Sequence, residues 1–457
     1  MQLTSAKSNS VQSTFAHEID ERAVPGRRPK LLFLAYHFPP SQAVASVRAW
    51  NMAKYLARLG WEVTVITPDP SLWRSVNDPV EADANLRQEG IRRILTRHDW
   101  CCLNPSLLKS ANTGIAGLAG GICRRIAWRL KMTHTVGWAK HALRACSALP
   151  ETDVDIILAT GSPFLAFKLA RRLADRFGCP YVLDYRDPWT GNPHASRPDR
   201  PSTIREERKL LAGSAAVTIV SPSWARAMER RFDIGTKLHV LTNGYDPEEV
   251  ADVKPKDYAH FSIIYTGLFY PPKRVISPVM AALSRLKSTL NGADGEWFFH
   301  YYGTEGDHVL EESRRFNVTE RVVIHGRVSR PEVLSALRGA DVALVISSVV
   351  EEKSVEDHGI VPGKLFETLG LGTPILLIGP PGSDASQMIS ESGVHGCFSG
   401  TDVQGIVHWL QERVRERNRG VSNPAPKLAW PQLAKNLDSL LREQLPSREL
   451  IRVHDLN

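Results

Sequence analysis

The chain has 457 residues, of which 42% are hydrophobic and 23% charged, with six cysteines and a formal net charge of +8. At roughly 100–200 residues per domain that length suggests two or three domains, each able to bury a core without covalent staples. No C-x-x-C pair, no zinc-like His spacing, no apolar leader in residues 1–28 and no run of about 18 apolar residues occur, which argues against a disulfide framework, a structural zinc site, a secretion signal and a bilayer span. The expectation is therefore a cytoplasmic protein with free thiols and a disordered tail over 1–28.

In chain order, residues 30–35 read as a buried strand. Ala49, Met52, Ala53, Leu56 and Leu59 then recur at helical spacing, and Gly60 fits a C-terminal cap. Residues 61–66 form the next strand, completing a βαβ unit and so a parallel sheet. The alternation resumes with strands at 154–159, 181–184, 216–220 and 238–241. The intervening helices are at 163–177, at 203–212 behind a capping box on Thr203 and Glu206, and at 224–232. Residues 245–258, with Pro247 and Pro255, read as a linker.

A second series follows, with strands near 261–265, 297–301, 322–324, 341–346 and 374–378. Helices lie between them near 275–290, 308–316, 331–338, 363–371 and 384–391. The fold expected is α/β, with two doubly wound Rossmann-like domains facing a cleft. The boundaries are 29–244 and 259–422, with a final helix at 428–446 returning to the N-terminal domain. Ligands of such sheets bind beyond the carboxyl ends of the strands, so functional residues are sought in the loops that follow them.

Residues 91–146 interrupt the pattern. They hold ten lysines and arginines against the single acid Asp99, interleaved with Ile122, Ile126, Trp128, Leu130, Trp138 and Leu143. A basic amphipathic segment with tryptophan suits an anionic membrane surface. The competing reading is a solvated helix face packed on the domain. Nucleic acid is not expected, because no binding motif accompanies the charge.

In the second series, Pro362 stands where a helix begins. The free N–H groups and partial positive charge of that helix start suit a diphosphate. Lys364 adds a full charge. Glu367, one turn on, lies on the same side, where a carboxylate can accept two hydrogen bonds from a ribose diol. On charge pattern alone, a surface i,i+3 ion pair between Lys364 and Glu367 is the favoured reading.

Residues 361–375 (VPGKLFETLGLGTPI) resemble the donor-site segment of family-four glycosyltransferases, which have the GT-B fold. The resemblance assigns ribose binding to Glu367. Many members carry a second Glu eight positions earlier, where this chain has Gly359; Asp357 and Glu356 are the nearby acids. Residues 265–274 (YTGLFYPPKR) resemble the family's strand-to-glycine loop, which implies backbone approach at Gly267 and donor phosphate contacts from Lys273 and Arg274. Residues 299–303 and 324–327 match later strand ends.

In the first series, residues 32–40 (LFLAYHFPP) through Arg48 resemble the family's opening segment, with 43–47 (AVASV) in place of its paired glycines. Arg48 is a candidate phosphate or acceptor contact. Residues 184–189 (DYRDPW) are similar to a bacterial subgroup that builds exopolysaccharides and surface polysaccharides. Asp187 is the candidate for acceptor hydroxyl contact or proton handling, and Arg186 for an acceptor or phosphate contact. Asp184 and Arg186 are alternatively a structural ion pair. Asp153 and Asp155 copy a metal-binding Asp-x-Asp, but their place before a buried strand favours a plain connection, and no metal is expected.

The resemblance implies a hexosyltransferase-type enzyme that retains anomeric configuration without a covalent nucleophile, and that uses a nucleotide diphosphate sugar as donor with no cofactor. The acceptor expected is lipid-linked or a glycan, and the placement cytoplasmic, peripheral on the inner face of the membrane through 91–146. A GT-B-fold sugar-nucleotide epimerase and a non-catalytic partner subunit are the alternatives. No G-x-G-x-x-G follows the first strand, so a dinucleotide fingerprint is absent.

Overall fold

The computed structural model describes residues 27–69, 71, 78–99, 135–195, 198–290, 296–350, 355–390, 393–417 and 425–446. Among the described residues, thirteen strands fall into two sheets with every strand pairing parallel. The first sheet holds β1 (Lys30–Ala35), β2 (Glu62–Pro68), β3 (Arg92–Thr96), β4 (Ile156–Gly161), β5 (Tyr181–Tyr185), β6 (Ala216–Ile219) and β7 (Leu238–Val240), in the order β3-β2-β1-β4-β5-β6-β7. The second holds β8 (Phe261–Thr266), β9 (Trp297–Tyr302), β10 (Val322–Gly326), β11 (Val342–Ile346), β12 (Ile375–Ile378) and β13 (His395–Phe398), in the order β10-β9-β8-β11-β12-β13. The two Rossmann-like sheets expected from the alternation are present.

The helices are α1 (Val44–Arg58), α2 (Pro79–Gln88), α3 (Val136–Ser147), α4 (Leu165–Phe177), α5 (Pro201–Gly213), α6 (Pro222–Phe232), α7 (Pro247–Ala251), α8 (Ser277–Thr289), α9 (Gly306–Arg315), α10 (Arg330–Gly339), α11 (Val355–His358), α12 (Gly363–Leu371), α13 (Asp384–Ser390), α14 (Val403–Arg415) and α15 (Trp430–Glu443). They cover both faces of each sheet, which is why the central strands read as unbroken apolar runs. In β1, Leu32 and Leu34 join the core under α3 and α4. Leu31, Phe33 and Ala35 join the core under α1 and α15. Helix α15 thus packs on the first sheet, although it follows the second in sequence. The chain crosses back where Trp430 N donates to Tyr245 O at 2.9 Å and Tyr245 N to Leu428 O at 3.1 Å.

Several expectations are corrected. Strand β3 lies inside the segment read as basic and amphipathic. It is an edge strand, and Arg93 tucks inward to Pro39 O at 2.7 Å and to Asp83. Edge strands commonly carry such charge, which hides the β signal. Trp138 and Leu143 face the protein core rather than a surface: Trp138 is buried in a T-shaped contact with Tyr36. Residues 100–134, with Arg124, Arg125, Arg129 and Trp128, lie outside the described residues, as does nearly all of 1–28. The second sheet ends in β13, a four-residue edge strand that the sequence reading omits. Helix α5 begins at Pro201, two residues before the supposed cap, and no side chain caps it. The linker is no free tether. Asp246 caps α7 through Glu248 N, accepts Tyr55 OH at 2.8 Å and pairs with Lys54 Nζ at 2.7 Å. Asp153 and Asp155 hold Lys30, through its Nζ and its backbone N–H respectively. Among the described residues no helix is long and apolar enough to cross a membrane.

Candidate functional site between the two sheets

In each sheet all carboxyl ends lie along one edge, and the two edges meet. Ser223, at the start of α6, donates its backbone N–H (2.8 Å) and its hydroxyl (2.7 Å) to Asp384 at the start of α13. The first N–H groups of a helix lack internal partners, and Ser221 makes no side-chain cap, so a carboxylate from the other domain caps α6. Trp224 Nε1 donates to Glu356 O at 2.7 Å, and Arg327 to Gln42 Oε1 at 2.6 Å. None of these cross-cleft contacts is legible in the sequence. Pro222 marks a helix start, but its carboxylate partner lies 161 residues from Ser223.

On the second domain's side, the loop after β8 is the centre. Gly267 has φ +104°, and a Cβ there would come 3.1 Å from Lys364 Nζ. Lys364 reaches across to Thr266 O and lies over the Tyr265 ring, 3.8 Å from its centroid. The positive φ favours glycine at 267, and a side chain there would press on the lysine head. Enclosure of the ammonium and the nearby Arg274 cation push the Lys364 pKa well below its ordinary value, with Glu367 opposing. Tyr270 and Arg274 close the loop by mutual backbone bonds of 2.9 Å, and the Arg274 guanidinium lies 5.1 Å from the Tyr270 ring centroid. Arg274 Nε is buried without a hydrogen-bond partner. Lys273 pairs with the buried Asp357.

The surface pair between Lys364 and Glu367 does not form. Lys364 turns back to Thr266, and Glu367 accepts Arg330 NH1 at 2.8 Å. Arg330 also binds Glu249 of α7, with NH2 to Oε2 at 2.8 Å, so the linker helix and α12 share one guanidinium.

On the first domain's side, Asp187 follows β5 and accepts no hydrogen bond from the described residues. Arg186 donates to Ser162 O, and its Nε is buried without a partner. Burial lowers the Arg186 pKa, against the raising effects of Asp187 and Asp184. The partner of Asp184 is not Arg186 but Arg48. Arg48 Nε and NH2 donate to Asp184 at 3.1 and 2.6 Å, NH2 also to Leu241 O at 2.9 Å, and NH1 to Thr242 O and Asn243 Oδ1 at 2.8 and 3.1 Å. A guanidinium has five N–H bonds, and here all five are used. Arg48 is thus corrected from a phosphate or acceptor contact to a clamp across the strand ends. Thr160 and Thr218 hydroxyls also donate to Asp184, each at 2.7 Å. Burial alone would raise the Asp184 carboxyl; Arg48 and the two threonines outweigh it and hold the group below the usual carboxylate range.

The cleft therefore collects Gly267, Arg274 and Lys364 at one place, with Lys273 and Glu367 beside them in ion pairs, and Asp187 and Arg186 on the facing wall. Two half-buried basic side chains, one with an unused N–H, suit an anion with several oxygens.

Residues 45–244 match the sequence model of the glycosyl transferase 4-like domain. No curated protein matches the chain by sequence. A solved sucrose-phosphate synthase from Thermosynechococcus elongatus superposes with a TM-score of 0.60 at 14% identity, over 91% of this chain and 99% of that one. A glycosyltransferase from Rickettsia africae gives 0.56 at 12% identity, over 92% and 95%. Anabaena HepE, solved in complex with UDP and glucose, gives 0.51 at 13% identity, over 92% and 96%. At such identities the likeness is one of fold. The chain has the two-domain GT-B fold, and its residues 45–244 resemble a glycosyl transferase 4-like domain.

Proposed function

We propose that this protein transfers a sugar from a nucleoside diphosphate sugar to an acceptor hydroxyl. The observation that carries the reading is Lys364 held against Gly267 in the loop that Arg274 closes, with Arg274 Nε unsatisfied. Two cations held together repel each other. A diphosphate between them relieves that repulsion, fills the unused N–H and receives the dipole of the α12 start. Glu367, one turn along α12, takes the ribose. Asp187 and Arg186 receive the acceptor. Catalysis then rests on placing the reactants and stabilising the departing diphosphate through Lys273, Arg274, Lys364 and the helix start. HepE, a fold neighbour, was solved with UDP and glucose, which supports a nucleotide sugar as donor.

The finer reading is a retaining hexosyltransferase of surface polysaccharide synthesis, acting on a lipid-linked acceptor at an anionic membrane. It rests on the 184–189 segment and the charge of 91–146.

A thermal-shift screen against nucleoside diphosphates and their sugars tests the donor site, because a ligand at about 100 times its Kd adds about 2.7 kcal/mol of stability. Scoring acceptor-dependent sugar transfer tests the reaction. A chain that no nucleotide sugar stabilises is not this enzyme. Interconversion of a free nucleotide sugar without an acceptor product would favour an epimerase.

A further inference from the structure

The loop after β5 carries a residue that the donor and acceptor assignments leave unused. Arg231 NH1 holds Asp199 at 2.6 Å, and Asp199 accepts Gly191 N at 2.8 Å. Asn192 accepts His194 N at 2.8 Å and donates to Pro188 O at 3.2 Å. These bonds fix the loop from beneath and leave the His194 side chain exposed. Its ring lies 6.4 Å, centroid to centroid, from that of Tyr270 on the facing domain. The charged groups acting on it are Arg274, Lys273 and Asp357 from the second domain and Asp187 from the first. It thus lies against the facing domain's Tyr270, within the field of the basic residues of that loop and of Asp187.

Building on the proposed donor site, we propose that His194 is a catalytic residue that touches the diphosphate and donates a hydrogen bond to the oxygen leaving the sugar. In the transfer, the bond from sugar C1 to the diphosphate oxygen breaks and its electron pair stays on that oxygen. The acceptor oxygen bonds to C1, and its proton passes to the diphosphate. An N–H aimed at the leaving oxygen stabilises the charge developing there. Partial loss of water and the Arg274 cation hold the imidazole below the usual histidine range, with Asp187 opposing. A bound diphosphate offsets Lys273 and Arg274 and draws a proton onto the ring.

The test is calorimetric binding of UDP, GDP and ADP from about pH 8 to about pH 5.5, across the histidine range, for the full chain and for His194→Gln. Unchanged melting temperature of the exposed-loop variant serves as the folding control. The wild type is expected to gain at least about fivefold in diphosphate affinity over the variant on acidification, since an anion raises the pKa of a histidine it contacts. Equal pH dependence in the two proteins overturns the role of His194 alone. Absence of binding by the wild type to all three diphosphates overturns the donor site and His194 together.

Discussion

The indole of Trp224 occupies the space that a side chain at Gly359 would need: a Cβ there would lie 2.2 Å from Trp224 Cδ1 and 2.4 Å from Nε1. Trp224 belongs to the first domain and Gly359 to the second, so the contact joins the two domains. It gives a physical reason for glycine at 359, where the resemblance to family-four glycosyltransferases implies glutamate in many members. Of the acids nearby, Asp357 is paired to Lys273, whereas Glu356 gives its backbone carbonyl, not its carboxylate, to the Trp224 N–H.

Gly359→Ala should therefore cost roughly 1–3 kcal/mol, the usual range for overpacking. Urea denaturation measures it. Full stability in the variant would mean that the indole moves aside freely.

Glu367→Ala should weaken nucleotide-sugar binding roughly tenfold to a hundredfold, the value of charged hydrogen bonds of about 1.5–3 kcal/mol. Glu249→Ala is the control, because it removes the other partner of Arg330 and leaves Glu367 in place. Calorimetry should show a loss in the first variant and little change in the second.

Asp184→Ala should destabilise the fold by about 3–5 kcal/mol, as expected when a buried ion pair loses one partner. Arg48 would be left with an uncompensated charge, being 3% exposed. A folded variant of normal stability with only weaker ligand binding would return Arg48 to the site.

Stability should fall on acidification through the histidines clustered around His300 of β9. His260 and His300 Nε2 atoms lie 2.9 Å apart, and His300 Nδ1 lies 2.9 Å from His325 Nε2. Burial, with His325 and His260 adding to it, lowers His300 to about 3. Below about pH 6.5 an unfolded histidine takes a proton that folded His300 refuses, so stability drops as pH falls through that window. Glu207 acts in the opposite sense. Burial raises its carboxyl to about 7, with Thr190 and Tyr185 opposing. Its folded form keeps a proton that the unfolded chain loses, so stability declines as pH rises from about 4.5 to about 7. Melting temperatures of His300→Asn and Glu207→Gln across pH should flatten the acidic and the neutral limb respectively.

Charge reversal of Arg124, Arg125 and Arg129 to Glu should release the chain from vesicles rich in anionic lipid, since each basic residue near such a surface is worth about 1 kcal/mol. Flotation with vesicles reads this directly. Failure of the wild type to bind ends the membrane proposal.

The repeated strand–helix alternation made both sheets legible, because strands buried on two faces read as apolar runs. The misreadings were at the edges. Strand β3 opens with Arg92 and Arg93, and β13 is only four residues long. The start of α12 was legible from Pro362, and Gly267 from its place after β8. Arg48 was misread because its carboxylate is 136 residues away. Asp384 and His194 carry no local signal of what they face.

The sequence by itself determined most of the secondary elements and the two doubly wound sheets, and pointed to the strand-end loops as the place to seek a ligand. Those follow from hydrophobic period, proline and glycine, which act over a few residues. Only the tertiary structure decided which charges are spent and which remain for a ligand. Arg48 and Arg274 are both arginines in loops or helices near strand ends. One has every N–H satisfied by Asp184 and backbone carbonyls, and the other keeps a buried Nε unpaired. Pairing of charges depends on distances through space between residues far apart in the chain, and those distances exist only once both sheets have formed and met.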